Sequence, residues 1–391
     1  MAVNDMTVEQ SSTILNAAVN QAQGGVNAST QLASKDFVTV AQTARKTNYD
    51  TLMTALSQVL SKSIFSQRPY NRRFQILEAD AIRYGNHVRK INYVDGDLED
   101  SEAYSLTDGQ SVDMYEVHKP KAVQTNFYGH NTFDYIQTVY KDQLEMSLRG
   151  PEEWTGFLSG LLQNVQNKIE QAHEESARMA INNLIAGHVS LEASTQCVVH
   201  LLTEYNAWSG QSLTAATLFA PANFAPFARW MFGRLETLSK LLQERTSIYH
   251  MNLTAGKFQR HTPVADQRLI LLTGQMDQVN TNVLATTYNS DYLKTIPRED
   301  LTFWQNINVP ADINVNASFM LADGSIDTAA VNKTTVFGVL FDKEACGYTM
   351  IRQSYDVTPY NVRGKYWNHF WSFQDRYWND FTENCIVLLL D

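Results

Sequence analysis

Cysteine is scarce and scattered in this chain of 391 residues. Cys197, Cys346 and Cys385 form no CxxC pair, and an odd, widely spaced set signals neither a disulfide framework nor a zinc site. A reducing cytoplasm is the expected place of synthesis. Long apolar runs are missing too: none approaches the roughly 18 to 20 residues that cross a bilayer. The opening MAVNDMTVEQ has no basic segment followed by an apolar one, so neither a signal peptide nor a membrane span is expected. Basic charge is also short, with 31 Lys and Arg against 41 Asp and Glu. A tight grip on nucleic acid comes chiefly from cations that neutralise phosphates. A net charge of −10 and an isoelectric point near 5.4 therefore leave room only for weak, non-specific contact with DNA. The signatures GxGxxG, GxxxxGK and GxSxG are absent; ahead of Gly256-Lys257, Met251 stands where the second pattern needs glycine. No cofactor, metal or catalytic residue is predicted.

What is present is apolar and aromatic bulk, 44% and 11% of the chain, enough for sizeable cores in two or three domains. The first 36 or so residues are an exception. They are rich in Ala, Asn, Gln, Ser and Thr, and such a stretch orders only against a partner. From Asn48 the pattern becomes helical: Leu52, Met53, Leu56, Val59 and Leu60 share a face, Asp50 is a candidate N-cap and Pro69 closes the segment. Two strand-like pieces follow, HVRKINYV and KAVQTNFYG, on either side of a long acidic excursion, and together they predict an extended hairpin.

Pro151 opens the longest periodic segment. Trp154, Phe157, Leu161, Val165, Ile169, Ala177, Ile181 and Leu184 recur on one face, with Gly187 read as the residue just past the end. That is a spine helix on the order of 55 Å long. Residues 190–335 read as an inserted α/β domain, with strands at CVVHLLT and RLILLTG and a helix near Phe227–Glu244. The segment 336–391 carries Trp367, Trp371 and Trp378 together with Tyr366, Phe370, Phe373, Tyr377 and Phe381. Helical and strand spacings both fit this tail; its Tyr, Trp and Phe enrichment and the NVRGK turn favour strands.

Three clusters invite chemistry. Glu170 and His173 have the ExxH spacing of di-iron bundles, but no second pair exists, and a polar helix flank explains them. The run Asp95, Asp97, Glu99, Asp100 and Glu102 is rich in carboxylates but departs from an EF-hand loop, which would need Gly at Asp100 and Glu at Leu106. A solvated hairpin tip, or one docking on a basic patch of a neighbour, fits it better. Asp375 and Asp380 beside Trp371 and Trp378 would suit a carbohydrate-active enzyme only if the carboxylates faced each other across a cleft.

The order of parts resembles the tailed-phage major capsid proteins of the Hong Kong 97-type fold: arm, helix, long hairpin, spine helix, inserted domain and returning aromatic strands. More locally, VLFDKEACGYTM and VRGKYWNHFW are similar to the C-terminal part of capsid proteins from small podoviruses of Gram-positive hosts, where a VL-x-DK element precedes an RG-x-YWN element. Here these are Val339, Leu340, Asp342 and Lys343, then Arg363, Gly364, Tyr366, Trp367 and Asn368.

The resemblance implies an α+β fold with these parts: an N-terminal arm (1–50), a helix (51–69), an extended hairpin or E-loop (70–131), a peripheral domain with the spine helix (132–189), an axial domain (190–335) and return strands (336–391). It further implies a structural protein that assembles with itself as hexamers and pentamers into an icosahedral shell around packaged double-stranded DNA. Scaffolding and portal proteins would be partners, assembly would occur in the host cytoplasm and the product would be the virion capsid. Asp95, Asp97, Glu99, Asp100, Glu102, Lys119 and Lys121 become candidates for contact between subunits. Trp154, Arg363, Gly364, Tyr366, Trp367, Trp371 and Trp378 become candidates for packing the peripheral domain. The alternatives are an encapsulin-like shell of the same fold and the carbohydrate-active enzyme.

Overall fold

The computed structural model describes residues 73–78, 88–94, 106–115, 117, 119, 121–147, 151–254, 258–274 and 296–391. The N-terminal arm, the helix expected over 51–69 and the acidic run 95–102 lie outside them. The organising element is a 40-residue helix, α2 (Pro151–Ser190), preceded by the short α1 (Lys141–Ser147). At 1.5 Å per residue α2 is about 60 Å long. Trp154, Leu161, Val165 and Ile169 are buried along its first half, and Ala177, Ala180, Ile181, Leu184 and Ile185 along its second. Each half meets different strands.

One partner is a three-stranded antiparallel sheet in the order β10 (Cys346–Val357), β11 (Tyr366–Asn379), β3 (His130–Tyr140). In β11, Trp367, His369, Trp371, Phe373 and Asp375 are all buried. Alternate residues line one face of a strand, so this spacing of two settles the tail as strand rather than helix. Register runs from Tyr366 opposite Tyr140 to Arg376 opposite His130, and a bulge in β10 falls between Met350 and Arg352.

The second sheet is mixed and five-stranded: β4 (Val198–His200), β12 (Cys385–Leu389), β9 (Val336–Asp342), β5 (Gln267–Leu272), β6 (Arg298–Leu301). Ile270, Val339, Phe341, Val387 and Leu389 join the core that contains the second half of α2. Leu269, Leu271, Leu340, Ile386 and Leu388 join a separate core with Tyr205, Phe227, Met231 and Leu235. The latter come from α3 (Leu201–Ser209) and α5 (Pro221–Gln243), which flank the one-turn α4 (Ala215–Leu218). A sheet covered on both faces needs apolar residues at every position, which is why CIVLLL reads as a continuous run. The stretch 336–391 thus divides between two sheets: β10 and β11 in one, β9 and β12 in the other.

A two-stranded ribbon, β7 (Ile313–Met320) and β8 (Ile326–Lys333), lies against the second half of α2. The Asn183 side chain grips it twice: its Nδ2 donates to the Ser318 carbonyl at 2.8 Å, and its Oδ1 accepts from the Ser318 N–H at 2.7 Å.

Two expectations need correction. CVVHLLT is strand only as far as His200, whose ring is held by Glu192 and Asp391. The chain then turns into α3, where Leu201, Leu202 and Tyr205 reach the core at helical spacing. Gly187 does not end the spine helix but lies inside it. A Cβ there would sit 2.5 Å from the Phe381 ring, so the missing side chain serves close approach of the β11–β12 turn and not a left-handed cap.

In an exposed helix, Gly→Ala ordinarily stabilises by about 0.5 to 1 kcal/mol. Gly156→Ala and Gly160→Ala, where a Cβ meets nothing within 4 Å, should do so. Gly187→Ala in the same helix should instead destabilise by roughly 1 to 2 kcal/mol, because the ring it meets lies in a packed core. Urea unfolding of the three variants provides the comparison.

Three buried histidines set a pH dependence. Burial, helped by nearby His250, holds His188 down at about 3, and burial holds His369 at about 4; burial also lowers His250. The folded state keeps these rings neutral, so the unfolded chain binds more protons below about pH 6.5. Their contribution should be complete above pH 6.5 and lost as pH falls towards 4. The melting temperature of the subunit should therefore be level from pH 7 to 8 and drop by pH 5, and His188→Leu should flatten that drop.

Candidate subunit-contact surfaces

The strands expected on either side of the acidic excursion pair as an antiparallel hairpin, β1 (Val88–Tyr93) with β2 (Ala122–Phe127), from Val88 opposite Phe127 to Tyr93 opposite Ala122. Its polarity is inverted for a strand that ends its life on a monomer. Lys90 and Asn92 face inwards, while Ile91 and Tyr93 face out. Further along, Met114, Tyr115 and Val117 are 80%, 78% and 74% exposed. These exposed apolar side chains alternate with polar ones, since Arg89 shares the outward face of β1 with Ile91 and Tyr93.

The inward Lys90 fixes the root of this hairpin. Its Nζ lies 2.6 Å from Glu383 Oε1, 3.0 Å from Asp380 Oδ2 and 3.0 Å from Glu344 Oε2. Burial alone would lower its pKa, but Asp380 and Glu383 together raise it above the ordinary lysine value, so the amine stays charged. Two of these three carboxylates, Asp380 and Glu383, come from the turn Asp380–Asn384, all five residues of which are buried. Within that turn Asp380 Oδ1 accepts from the Thr382 N–H at 2.9 Å and hydroxyl at 2.6 Å. Arg260 adds a second cation, with its Nη2 3.3 Å from Glu383 and its Nε donating to the Thr382 carbonyl. Beside this anchor Val88, Arg89, Phe127, Arg268 and Trp378 line an open groove of about 480 Å³.

The candidates named from sequence separate cleanly. Asp95, Asp97, Glu99, Asp100 and Glu102 lie outside the described residues. Lys119 and Lys121 are exposed on the returning side of the hairpin, and the Lys121 carbonyl accepts from the Val94 N–H at 2.9 Å. Trp154, Trp367 and Trp371 are fully buried; Tyr366 and Trp378 are half-buried. The Trp367 ring lies 4.7 Å from Tyr360, and that of Trp371 4.9 Å from Tyr355.

Arg363 and Gly364 do not pack in the core. They sit exposed in the β10–β11 turn, where Asn361 Oδ1 accepts both of their N–H groups. Such a turn at the tip of a long hairpin has no layer to bury it. Gly364 is needed because a Cβ there would meet the Tyr366 ring at 2.3 Å. Asn368 ties the neighbouring strand, accepting from the Thr138 hydroxyl at 2.7 Å. In the upstream words, Asp342 ends β9 and accepts from the Thr262 hydroxyl at 2.9 Å, while Lys343 pairs with Asp266 at 2.7 Å.

The three chemical readings meet ordinary structural roles. His173 does not turn towards a metal; its Nδ1 is 2.8 Å from Asp375 Oδ2, deep between α2 and β11. Among the described residues no group of three or more His, Cys, Asp or Glu could hold a metal ion. Asp375 is fully buried and Asp380 is held by Lys90 and Thr382, so neither opens on a cleft where a sugar could bind. Sequence reasoning missed Lys90, Arg260 and the His173–Asp375 pair. Only Asp375, set in the aromatic stretch WSFQDRYW, carried a signal; Lys90 and Arg260 stand among other polar residues and carried none.

Comparison with known proteins agrees with this architecture. The chain aligns with a capsid chain of Staphylococcus phage Andhra at a TM-score of 0.54, with 10% identity over 82% of this chain and 84% of that one. It aligns with a chain from native bacteriophage P68, in a structure of that phage's head fiber and inner core protein gp22, at a TM-score of 0.52, with 10% identity over 82% and 85%. At such identities the likeness speaks for the fold, the α+β fold of Hong Kong 97-type capsid proteins. No curated protein sequence matches the chain. The family model described as Phi29-like phage major capsid protein matches residues 13–389, nearly the whole length, and the chain belongs to that family.

Proposed function

We propose that this structural capsid protein, which is not an enzyme, builds its shell from hexamers and pentamers held together mainly through the β1–β2 hairpin. The observation that carries this reading is the outward set Ile91, Tyr93, Met114, Tyr115 and Val117, left uncovered within one subunit. A hairpin that buries little at home buries much on a neighbour. Repeated around a closed ring, weak contacts of that kind add into a cooperative lattice. Lys90 sets the direction in which the hairpin leaves the body, and Lys119, Lys121 and the acidic residues Asp95, Asp97, Glu99, Asp100 and Glu102 supply charge for contacts beyond it.

In this reading residues 1–50 form the arm, 51–69 a helix, 70–131 the hairpin and 132–189 the peripheral domain. Residues 190–335 form the axial domain, and 336–391 return to close the subunit. Assembly takes place in the host cytoplasm with scaffolding and portal proteins, around double-stranded DNA that an acidic subunit touches only weakly. Membership of a phage capsid family does not favour an encapsulin-like shell, and the buried Asp375 does not favour a carbohydrate-active enzyme.

Deleting Val94–Val112 should leave a subunit that folds, by circular dichroism, yet forms no closed particles in electron micrographs; normal particles from that deletion would sink the proposal. Lys90→Met is the companion test. It removes the cation from a buried cluster and should cost about 3 kcal/mol in denaturant unfolding. Particle yield should fall more steeply than the loss of folded subunit explains.

A further inference from the structure

We infer that the tip of the β7–β8 ribbon, Asp323–Asp327 with Ile326 foremost, docks in a groove between α3 and α5 of a neighbouring copy of this chain. The inference rests on the reading that the shell is built from closed rings. It adds a second contact to that of the hairpin.

The groove encloses about 540 Å³, the size of clefts that bury a ligand. Trp208 of α3 and Pro226, Arg229, Trp230 and Arg234 of α5 line it. Its floor at Gly233 is bare, since a Cβ there would meet nothing within 4 Å. Trp208 is 70% exposed, yet its ring and that of Trp230 lie 6.0 and 5.4 Å from Tyr205, which is buried. Exposed indoles on a packed base are the side chains that carry most of the energy of an interface. Arg234 takes up the nearby carboxylate, Glu204, through bonds of 2.8 and 3.0 Å. Arg229 is exposed and has no partner among the described residues. The groove thus carries a spare cation in a chain of net charge −10.

Complementary chemistry selects the occupant. Outside the hairpin and its excursion, four large apolar side chains among the described residues are at least 70% exposed: Trp208, Ile307, Ile326 and Val362. Trp208 belongs to the groove itself. Val362 adjoins Arg363 and Lys365, whose charge Arg229 would repel, and Ile307 stands between the uncharged Asn306 and Asn308. Ile326 is flanked by the carboxylates of Asp323 and Asp327. That tip is also rigid. Gly324 takes a φ of +84°, the Leu321 N–H donates to the Ser325 carbonyl at 2.9 Å, and the Gly324 N–H donates to the Leu321 carbonyl at 2.9 Å. Asp323 Oδ1 accepts from the Ser325 N–H at 2.8 Å and hydroxyl at 2.6 Å, which leaves its other oxygen for a cation. A tip ordered beforehand loses little entropy on docking.

Placement makes the contact one between copies. Ile313, Ala317, Phe319 and Val331 fix the ribbon in the core with the second half of α2. Tyr205 and Phe227, beneath the groove, belong to the core on the other face of the five-stranded sheet. Tip and groove therefore belong to layers on opposite sides of that sheet. Two different patches so disposed pair head to tail, and such pairing closes into rings when the rotation allows.

The test uses the full chain carrying Gly233→Cys and Ile326→Cys, assembled under reducing conditions and then mildly oxidised. The native cysteines are all buried and do not compete. A non-reducing gel should show a ladder of linked subunits, and mass spectrometry a peptide bridged between positions 233 and 326. Either single variant should stay monomeric on the gel. A bridge within one chain, or dimers from a single variant, would overturn the inference. So would absence of the bridge in normal particles, which would leave the shell reading to the Val94–Val112 deletion. Should the double variant form no particles, Trp208→Ala and Ile326→Glu decide. Each alters an exposed side chain, so circular dichroism should be unchanged while particle yield falls on the order of tenfold. Normal yield from either variant would sink the docking.

Discussion

Lys90 and the buried turn it enters are the constraint on which the rest of the subunit hangs. Asp380–Asn384 joins β11 of one sheet to β12 of the other, receives the hairpin through Lys90, and presses Phe381 onto the spine helix at Gly187 and His188. Met251 donates its N–H to the Phe381 carbonyl, and Cys385 donates to that of Tyr249. Charges in such a place are tolerable only when paired and hydrogen-bonded, because removing either sign leaves an uncompensated ion away from water. The geometry of hairpin, helix and two sheets is therefore tied to a small set of discrete contacts.

Around that point the chain separates what is satisfied within one subunit from what is not. The two cores on either face of the five-stranded sheet, and the aromatic layer between α2 and β11, are closed. The hairpin is not: Ile91 and Tyr93 stand exposed on its outer face. Buried histidines kept neutral, and the raised pKa of Lys90, belong to the closed part.

Much of this was legible in the residues. The apolar spacing after Pro151 marked the spine helix, the Tyr, Trp and Phe enrichment of the tail with its NVRGK turn favoured strands, and CIVLLL read as a final apolar strand. The words around Asp342 and Arg363 pointed to the capsid family. Where the reading erred, one residue type had two uses. Gly187 looked like a helix terminator but makes room for Phe381; Arg363 sat in a telling motif yet lies at an exposed turn. His173, examined for a metal, is the partner of a carboxylate 202 residues away.

The amino-acid sequence by itself determined the class of element at most positions, the absence of the familiar nucleotide and hydrolase signatures and the resemblance to a capsid protein, because periodicity and local words are properties of neighbours along the chain. Only the tertiary structure decided that Lys90 meets Asp380 and Glu383, that the tail divides between two sheets and that β1 turns its apolar side outwards. Those facts depend on which distant segments share a surface. Period-two patterning states that a strand has two faces; packing of the whole chain chooses which one is left for a neighbour.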